Sequence, residues 1–262
     1  MKENPIGIFD SGIGGITIYD EIHKLLPNEN MIYLADSKNA PYGGKSKEKI
    51  IEYSVKNTEF LLENKCKIIV VACNTASTNA VKYLRSHYKV PIIRVQPAIK
   101  PAALKSKTKT VGILATNGTL ESELLHETSQ KFAQGVRVIK QIGEGLVALI
   151  ESGKIQSKEM TNLLNTYIDP MLKENIDFLV LGCTHYPFLI PQIKNIVGDK
   201  VTIIDSGEAI ARQTKVILEK ENLINKTDKN ITRDFYINKS PDVLQIFLDS
   251  YQENMKAIKL DF

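Results

Sequence analysis

Two stretches of this chain share one design, with their cysteines 110 residues apart. IIVVACNTAS, from Ile68, and FLVLGCTHYP, from Phe178, each carry an apolar run into a cysteine and then into a polar turn. An apolar run without alternation reads as a strand covered on both faces, as in a parallel sheet. A second pair repeats alongside it. IGIFDSG, from Ile6, resembles VGILATNG, from Val111, and their glycines Gly7 and Gly112 are 105 residues apart. Similarity at nearly the same offset in both pairs marks one supersecondary unit used twice.

The rest of the chain fits that frame. Strand candidates fall at residues 6–10, 31–35, 67–72, 91–95, 110–115, 135–139, 178–182 and 201–205, with amphipathic helical stretches such as 47–64 and 161–174 between them. Strands alternating with helices predict an α/β chain built on parallel sheets. The expected architecture is two similar parallel-sheet α/β domains related by pseudo-twofold symmetry, one formed by residues 1–96 and 209–262 and the other by 97–208. Residues 233–238 read as a further strand. Ser240-Pro241-Asp242 then reads as a helix cap, a proline in the first turn and an acidic first turn, opening a helix to about Gln252. That tail cannot fold alone and is expected to return to the first domain and extend its sheet.

Composition narrows the function classes. Apolar residues make up 43% of the 262, enough for two cores. No apolar run is long enough for a membrane helix, and the opening MKENPIGIFDSG has no signal-peptide core, so a soluble cytoplasmic protein is expected. The net charge is only +4, and Lys105, Lys107 and Lys109 read as a solvated loop. Tryptophan is absent and no aromatics interleave with a basic stripe, so nucleic acid is not an expected partner. The three cysteines show no metal-binding or disulfide spacing. No metal is expected, and no lysine stands at a strand end as a Schiff-base former, so no cofactor is expected either.

The chemistry concentrates on Cys73 and Cys183. A lone cysteine reads as a buried structural thiol, and Cys66, at a helix end with no polar turn after it, fits that reading. Cys73 is followed by Asn74 and Thr75, and Cys183 by Thr184 and His185. Turns leading into helices offer free N–H groups that stabilise a thiolate or a carboxylate. Open α/β sheets bind ligands at the carboxyl ends of their strands, so two such units facing each other would set the cysteines on opposite sides of one cleft. Two acid/base groups flanking a carbon can remove a proton from one face and return one to the other. Asp10 and Ser11, at the end of the first strand, His185, and Glu151, read as following a helix over 145–150, are candidate helpers. Asp10 read alone could equally be a helix cap, and His185 a loop histidine. Gly12, Gly14 and Gly15 lack dinucleotide-loop spacing and a phosphate-loop lysine, and read as room for close approach of a ligand.

In order along the chain, GIFDSGIGG (7–15), ADSKNAPYG (35–43), ACNTAS (72–77), LGCTHYP (181–187) and IDSGEAIA (204–211) resemble the glutamate racemases of the aspartate/glutamate racemase superfamily. The resemblance implies cofactor-independent interconversion of L- and D-glutamate, supplying D-glutamate for peptidoglycan and hence cell shape. It implies Cys73 and Cys183 as the catalytic pair, the first acting on the D- and the second on the L-enantiomer. Asp10 would assist Cys73, and His185 with Glu151 would assist Cys183. Asp10, Ser11, Tyr42, Gly43, Asn74, Thr75, Thr184 and His185 would hold the substrate, in a homodimer with the site between two domains. Gln96 departs from a Glu common in relatives. Some relatives need a peptidoglycan-precursor activator, bound partly through extra N-terminal sequence. The short N-terminus here leads to an expectation of no such dependence. Racemisation of aspartate or a hydantoin, or a purely binding role, stays open on the residues alone.

Overall fold

The apolar runs become strands because each is short, β-branched and flanked by helix-forming segments that cover both faces. In the computed structural model, which describes residues 1–249 and 255–262, they are β1 (Ile6–Asp10), β2 (Met31–Ala35), β3 (Ile68–Val71), β4 (Ile92–Arg94), β5 (Thr110–Ala115), β6 (Arg137–Ile142), β7 (Phe178–Gly182), β8 (Thr202–Ile204), β9 (Arg233–Ile237) and β10 (Ala257–Lys259). They form two sheets with every pairing parallel. One runs β10-β9-β2-β1-β3-β4 and the other β6-β5-β7-β8. The core four strands of the first sheet, β2-β1-β3-β4, have the same order as the second. The duplication read from the sequence is thus a duplication of topology.

The repeated glycines have a packing reason. Gly7 on β1 pairs with Ile69 on β3, and Gly112 on β5 with Leu179 on β7. A Cβ on Gly7 would fall 2.9 Å from Cys66 Sγ, and one on Gly112 would fall 2.9 Å from Met171 Sδ. In each sheet the missing side chain lets a covering segment lie close on a central strand. Cys66 is therefore a packing residue under the first sheet, and burial pushes its thiol up to about 12.

The tail returns as expected. β9 lies against β2, and β10 against β9, so residues from both ends of the chain complete one sheet. A buried ion pair ties this return down: Lys67 Nζ meets Glu29 Oε2, and Glu29 Oε1 accepts the N–H of Asn225 at 2.8 Å. Helix Gly207–Lys220 packs on helix Ile16–Leu25. One apolar cluster continues from Ile8, Tyr33 and Val70 of the first sheet through Ile13 to Leu146, Ile150 and Leu179 of the second half.

Three local expectations are corrected. The strand read at 135–139 lies at Arg137–Ile142, because Gly135 adopts φ +72 and belongs to the turn before it. Glu151 is not beyond its helix; it is the last residue of helix Leu146–Glu151. The tail helix is Asp242–Leu248, with Pro241 at the cap and Ser240 Oγ donating to Asp242 Oδ2 at 2.6 Å, so it starts later than read. The expected end at Gln252 lies outside the described residues.

Candidate active site

Parallel strands bring their carboxyl ends to one edge, and both cysteines sit there. Cys73 lies two residues beyond β3 and caps helix Asn74–Asn79 from an extended conformation (φ −77, ψ 124). Its Sγ accepts the N–H of Ala76 at 3.4 Å, and its thiol donates to Ser11 Oγ at 3.5 Å. Burial first, and then the Asp10 carboxylate, hold this thiol well above its ordinary range, against the two hydrogen bonds.

Cys183 follows β7 directly, with Sγ 3.8 Å from His185 Nδ1. The other ring nitrogen, Nε2, is 2.6 Å from Glu151 Oε1. Burial disfavours the imidazolium, but the Cys183 sulfur and the Glu151 carboxylate outweigh it and raise His185 well above its ordinary value. Burial likewise disfavours the Glu151 carboxylate. His185, the N–H of Ile13 at 2.7 Å and the hydroxyl of Ser37 at 2.7 Å outweigh it, and Glu151 falls below its ordinary value. The two shifts favour the charged forms of both groups behind Cys183, where the N–H of Gly14 also points at His185 Nε2 at 3.3 Å.

Ile13 and Ser37 belong to the first half of the molecule, while Glu151 and His185 belong to the second. The glycine-rich segment makes this meeting possible. A Cβ on Gly14 would lie 2.3 Å from His185 Nδ1, and one on Gly12 would also collide with Glu151. The expectation that these glycines leave room for a ligand is therefore corrected: Gly12 and Gly14 leave room for side chains of the opposite half, and Gly15 for Asp10, Ala72 and Tyr33 of its own. Asp10 crosses the same divide. Its Oδ2 accepts the N–H groups of Gly12 (3.2 Å) and Gly15 (3.1 Å), and its Oδ1 accepts Thr184 Oγ1 at 3.3 Å. It holds the turn before the helix rather than capping the helix itself, it bridges the two halves, and burial pushes its pKa up.

Both cysteines line one cavity with Ser11, Tyr42, Gly43, Asn74, Thr75, Thr116, Thr184 and His185. Its volume is only ≈ 10 Å³, about enough for one water and far too small for an amino acid. The site is closed around its own side chains. Among the described residues, no group of three His, Cys, Asp or Glu is arranged to hold a metal, and no helix is long and apolar enough to cross a membrane.

A family model described as Asp/Glu/Hydantoin racemase matches residues 6–214. The chain belongs to the Asp/Glu/hydantoin racemase family. Within it, the chain is 45% identical over 225 residues to the glutamate racemase of Herpetosiphon aurantiacus, covering 86% of this chain and 89% of that one. Among solved structures, it is similar to the Escherichia coli glutamate racemase in complex with L-glutamate and the activator UDP-MurNAc-Ala (TM-score 0.87, 33% identity, 98% of each chain). It is also similar to the Francisella tularensis glutamate racemase in complex with D-glutamate (TM-score 0.84, 30% identity, 100% of this chain and 99% of that one).

Nearly all residues singled out by the family resemblance meet at this cavity, and Asp10 and Glu151 stand immediately behind it. Tyr42 lines it, but its hydroxyl is turned away: it donates to Asp36 Oδ2 and accepts from Asn57 Nδ2 at 3.3 Å. Asn74 Nδ2 is buried and has no hydrogen-bond partner. Gln96 is elsewhere, beside Arg94, Arg85 and Lys100 on a separate cavity of ≈ 810 Å³ that contains neither cysteine. Two residues were missed from the sequence. Thr116 lines the site, 2.9 Å from Thr75 Oγ1; aligning VGILATNG with IGIFDSG pairs it with Ser11 and could have found it. Ser37 had no signal beyond its place in ADSKNAPYG.

Proposed function

We propose that the chain racemises glutamate with Cys73 and Cys183 as the acid/base pair. The observation that carries this reading is the pair itself: two thiols from equivalent strand ends, on one cavity, in a chain whose relatives are glutamate racemases. One cysteine, as thiolate, takes the Cα proton. The electron pair left on Cα delocalises into the adjacent carboxylate. The opposite thiol then donates its proton to the other face, and the two sulfurs have exchanged protonation states. In the reverse direction the roles swap, Cys73 acting on the D- and Cys183 on the L-enantiomer.

The difficulty is the weak acidity of the Cα–H bond beside a carboxylate. Fixed donors around that carboxylate lower the barrier most. Asn74 Nδ2 is the strongest candidate, because it is buried without a partner. Ser11, Thr75, Thr184 and the backbone at Tyr42 and Gly43 complete the set. His185 faces the Cys183 sulfur with one ring nitrogen and Glu151 with the other, so it is placed to assist that thiol. Asp10 acts on Cys73 through its charge, since the hydrogen bonds of that sulfur are with Ser11 and Ala76. Closing of the halves over the substrate excludes water and strengthens these contacts.

The same reading assigns residues 1–96 and 209–262 to one moving body and 97–208 to the other, in a cytoplasmic homodimer whose D-glutamate enters peptidoglycan. The packing of helix Gly207–Lys220 on helix Ile16–Leu25 supports the return to the first body. Proton exchange at Cα of D- and L-glutamate in D2O, with aspartate as control, tests the function. Cys73→Ser and Cys183→Ser should each abolish racemisation. Full two-way activity in either variant, or aspartate turned over in place of glutamate, sinks the reading.

A further inference from the structure

We propose that Ser37 is a positioning residue for the second thiol: its hydroxyl, carried by the first half, fixes the outer oxygen of Glu151 so that the inner oxygen meets His185. The proposal rests on the reading of Cys183 as an acid/base group, and it assigns the control of that group to a residue in the opposite half.

The two oxygens of Glu151 have separate tasks. Oε1 takes the N–H of Ile13 and faces His185 Nε2, at 2.7 and 2.6 Å. Oε2 takes the Ser37 hydroxyl at 2.7 Å. A hydroxyl donating to a carboxylate is a charge-assisted bond, about twice as strong as a neutral one. Ser37 is buried, two residues past the end of β2. The other titratable groups facing the pair are Asp10, Tyr33 and Cys183. None offers Oε2 a replacement donor. The Tyr33 hydroxyl is committed to the carbonyl of Gly12 at 2.8 Å, Asp10 is an acceptor held by Gly12, Gly15 and Thr184, and the Cys183 sulfur faces the far ring nitrogen of His185.

Without the hydroxyl, Oε2 is a buried carboxylate oxygen lacking a donor, a state that carries the full cost of desolvation. Two outcomes relieve it, rotation of the carboxylate or transfer of the His185 proton to it. Rotation loosens the contact that holds the His185 proton, and transfer removes that proton. Because Ser37 and Glu151 stand on opposite halves, this bond exists only where the halves meet.

The test compares Ser37→Ala with Ser37→Thr, which keeps a hydroxyl. In Ser37→Ala, kcat for both enantiomers should fall by about ten- to a hundredfold, with KM within about twofold because Ser37 touches no substrate. One limb of the pH profile of kcat/KM should move. In the 15N NMR titration of the His185 ring, Ser37→Ala should titrate at lower pH than the wild type, and Ser37→Thr should restore both rate and titration. An unchanged His185 titration in Ser37→Ala overturns the proposal, as does a rate loss that Ser37→Thr leaves in place. The titration needs no turnover. A shifted titration in a protein whose Cys183→Ser variant stays fully active therefore overturns the two-thiol reading and leaves Ser37 as the holder of Glu151.

Discussion

The backbone at Gly12 runs so close beneath the carboxylate of Glu151 that a methyl group built on it would lie 1.9 Å from Oε1. Glu151 cannot simply step aside, because Ile13, Ser37 and His185 all hold it. Gly12→Ala should therefore displace the ion pair behind Cys183 or prevent the halves from closing. The expected result is a fall in kcat/KM of about a hundredfold, the scale of a displacement near 1 Å in a reacting site. Steady-state kinetics on both enantiomers, beside a thermal melt to confirm folding, decide it. Wild-type kinetics would mean that the two halves need not meet at this point.

Asn74 separates binding from folding. Its Nδ2 is buried with no partner, so the folded protein gains nothing from it and bears its desolvation. Asn74→Ala should leave Tm unchanged or raise it, while kcat/KM drops about a hundredfold, as for removal of one donor from a charge-stabilising site. Melting and kinetics on the same preparation test both halves of the statement. A large loss of Tm would make Asn74 a structural residue.

The Glu151–His185 pair gives a pH signature. Glu151 titrates below its ordinary 4.5 in the folded chain, so its stabilising contribution is present above that value and is lost as pH falls through the folded one. His185 titrates well above its ordinary 6.5, so its contribution is present below that value and is lost as pH rises through the folded one. Both are in full force between about 4.5 and 6.5. Glu151→Gln should therefore lower Tm most near about pH 5.5 and less at either extreme. Melting curves across that range measure it, and a Tm difference constant with pH would argue against an ion pair.

Lys67 and Glu29 form a pair whose side chains are only 2% and 1% exposed. Lys67→Ala strands a buried carboxylate and should cost about 3–5 kcal/mol in urea unfolding. Replacing both by apolar residues of similar size, Lys67→Met with Glu29→Leu, should cost less than the single change. If the double variant is the weaker one, the hydrogen bond from the Asn225 N–H to Glu29 outweighs the charge pairing.

Much of the fold was legible in the sequence because buried parallel strands leave dense apolar runs and the runs occur twice. The misses have physical causes. β10, Ala257–Lys259, is three residues at a sheet edge and mostly exposed, so neither length nor alternation marks it. β6 is the edge strand of its sheet, and Arg137, Lys140 and Gln141 blur its bounds, so it was read a few residues early. The cysteines and their polar turns were readable for the same reason as the central strands. The meeting of Gly12 with Glu151 was not, since residues far apart along the chain meet only once both sheets have formed. Ser37 was invisible for the same reason: its partner is on the other half.

The return of the tail to β2 sets a timetable for synthesis. All four strands of the second sheet lie within one uninterrupted stretch, residues 110–204, whereas the first sheet must wait for β9 and β10. At 5–20 residues per second, roughly 10–40 s separate the emergence of β2 from that of β9. For that interval β2 presents a bare edge of unpaired N–H and carbonyl groups, a ready template for another nascent chain. The half that is made first is thus finished last, and its exposed edge is where the chain is most open to mispairing on the ribosome.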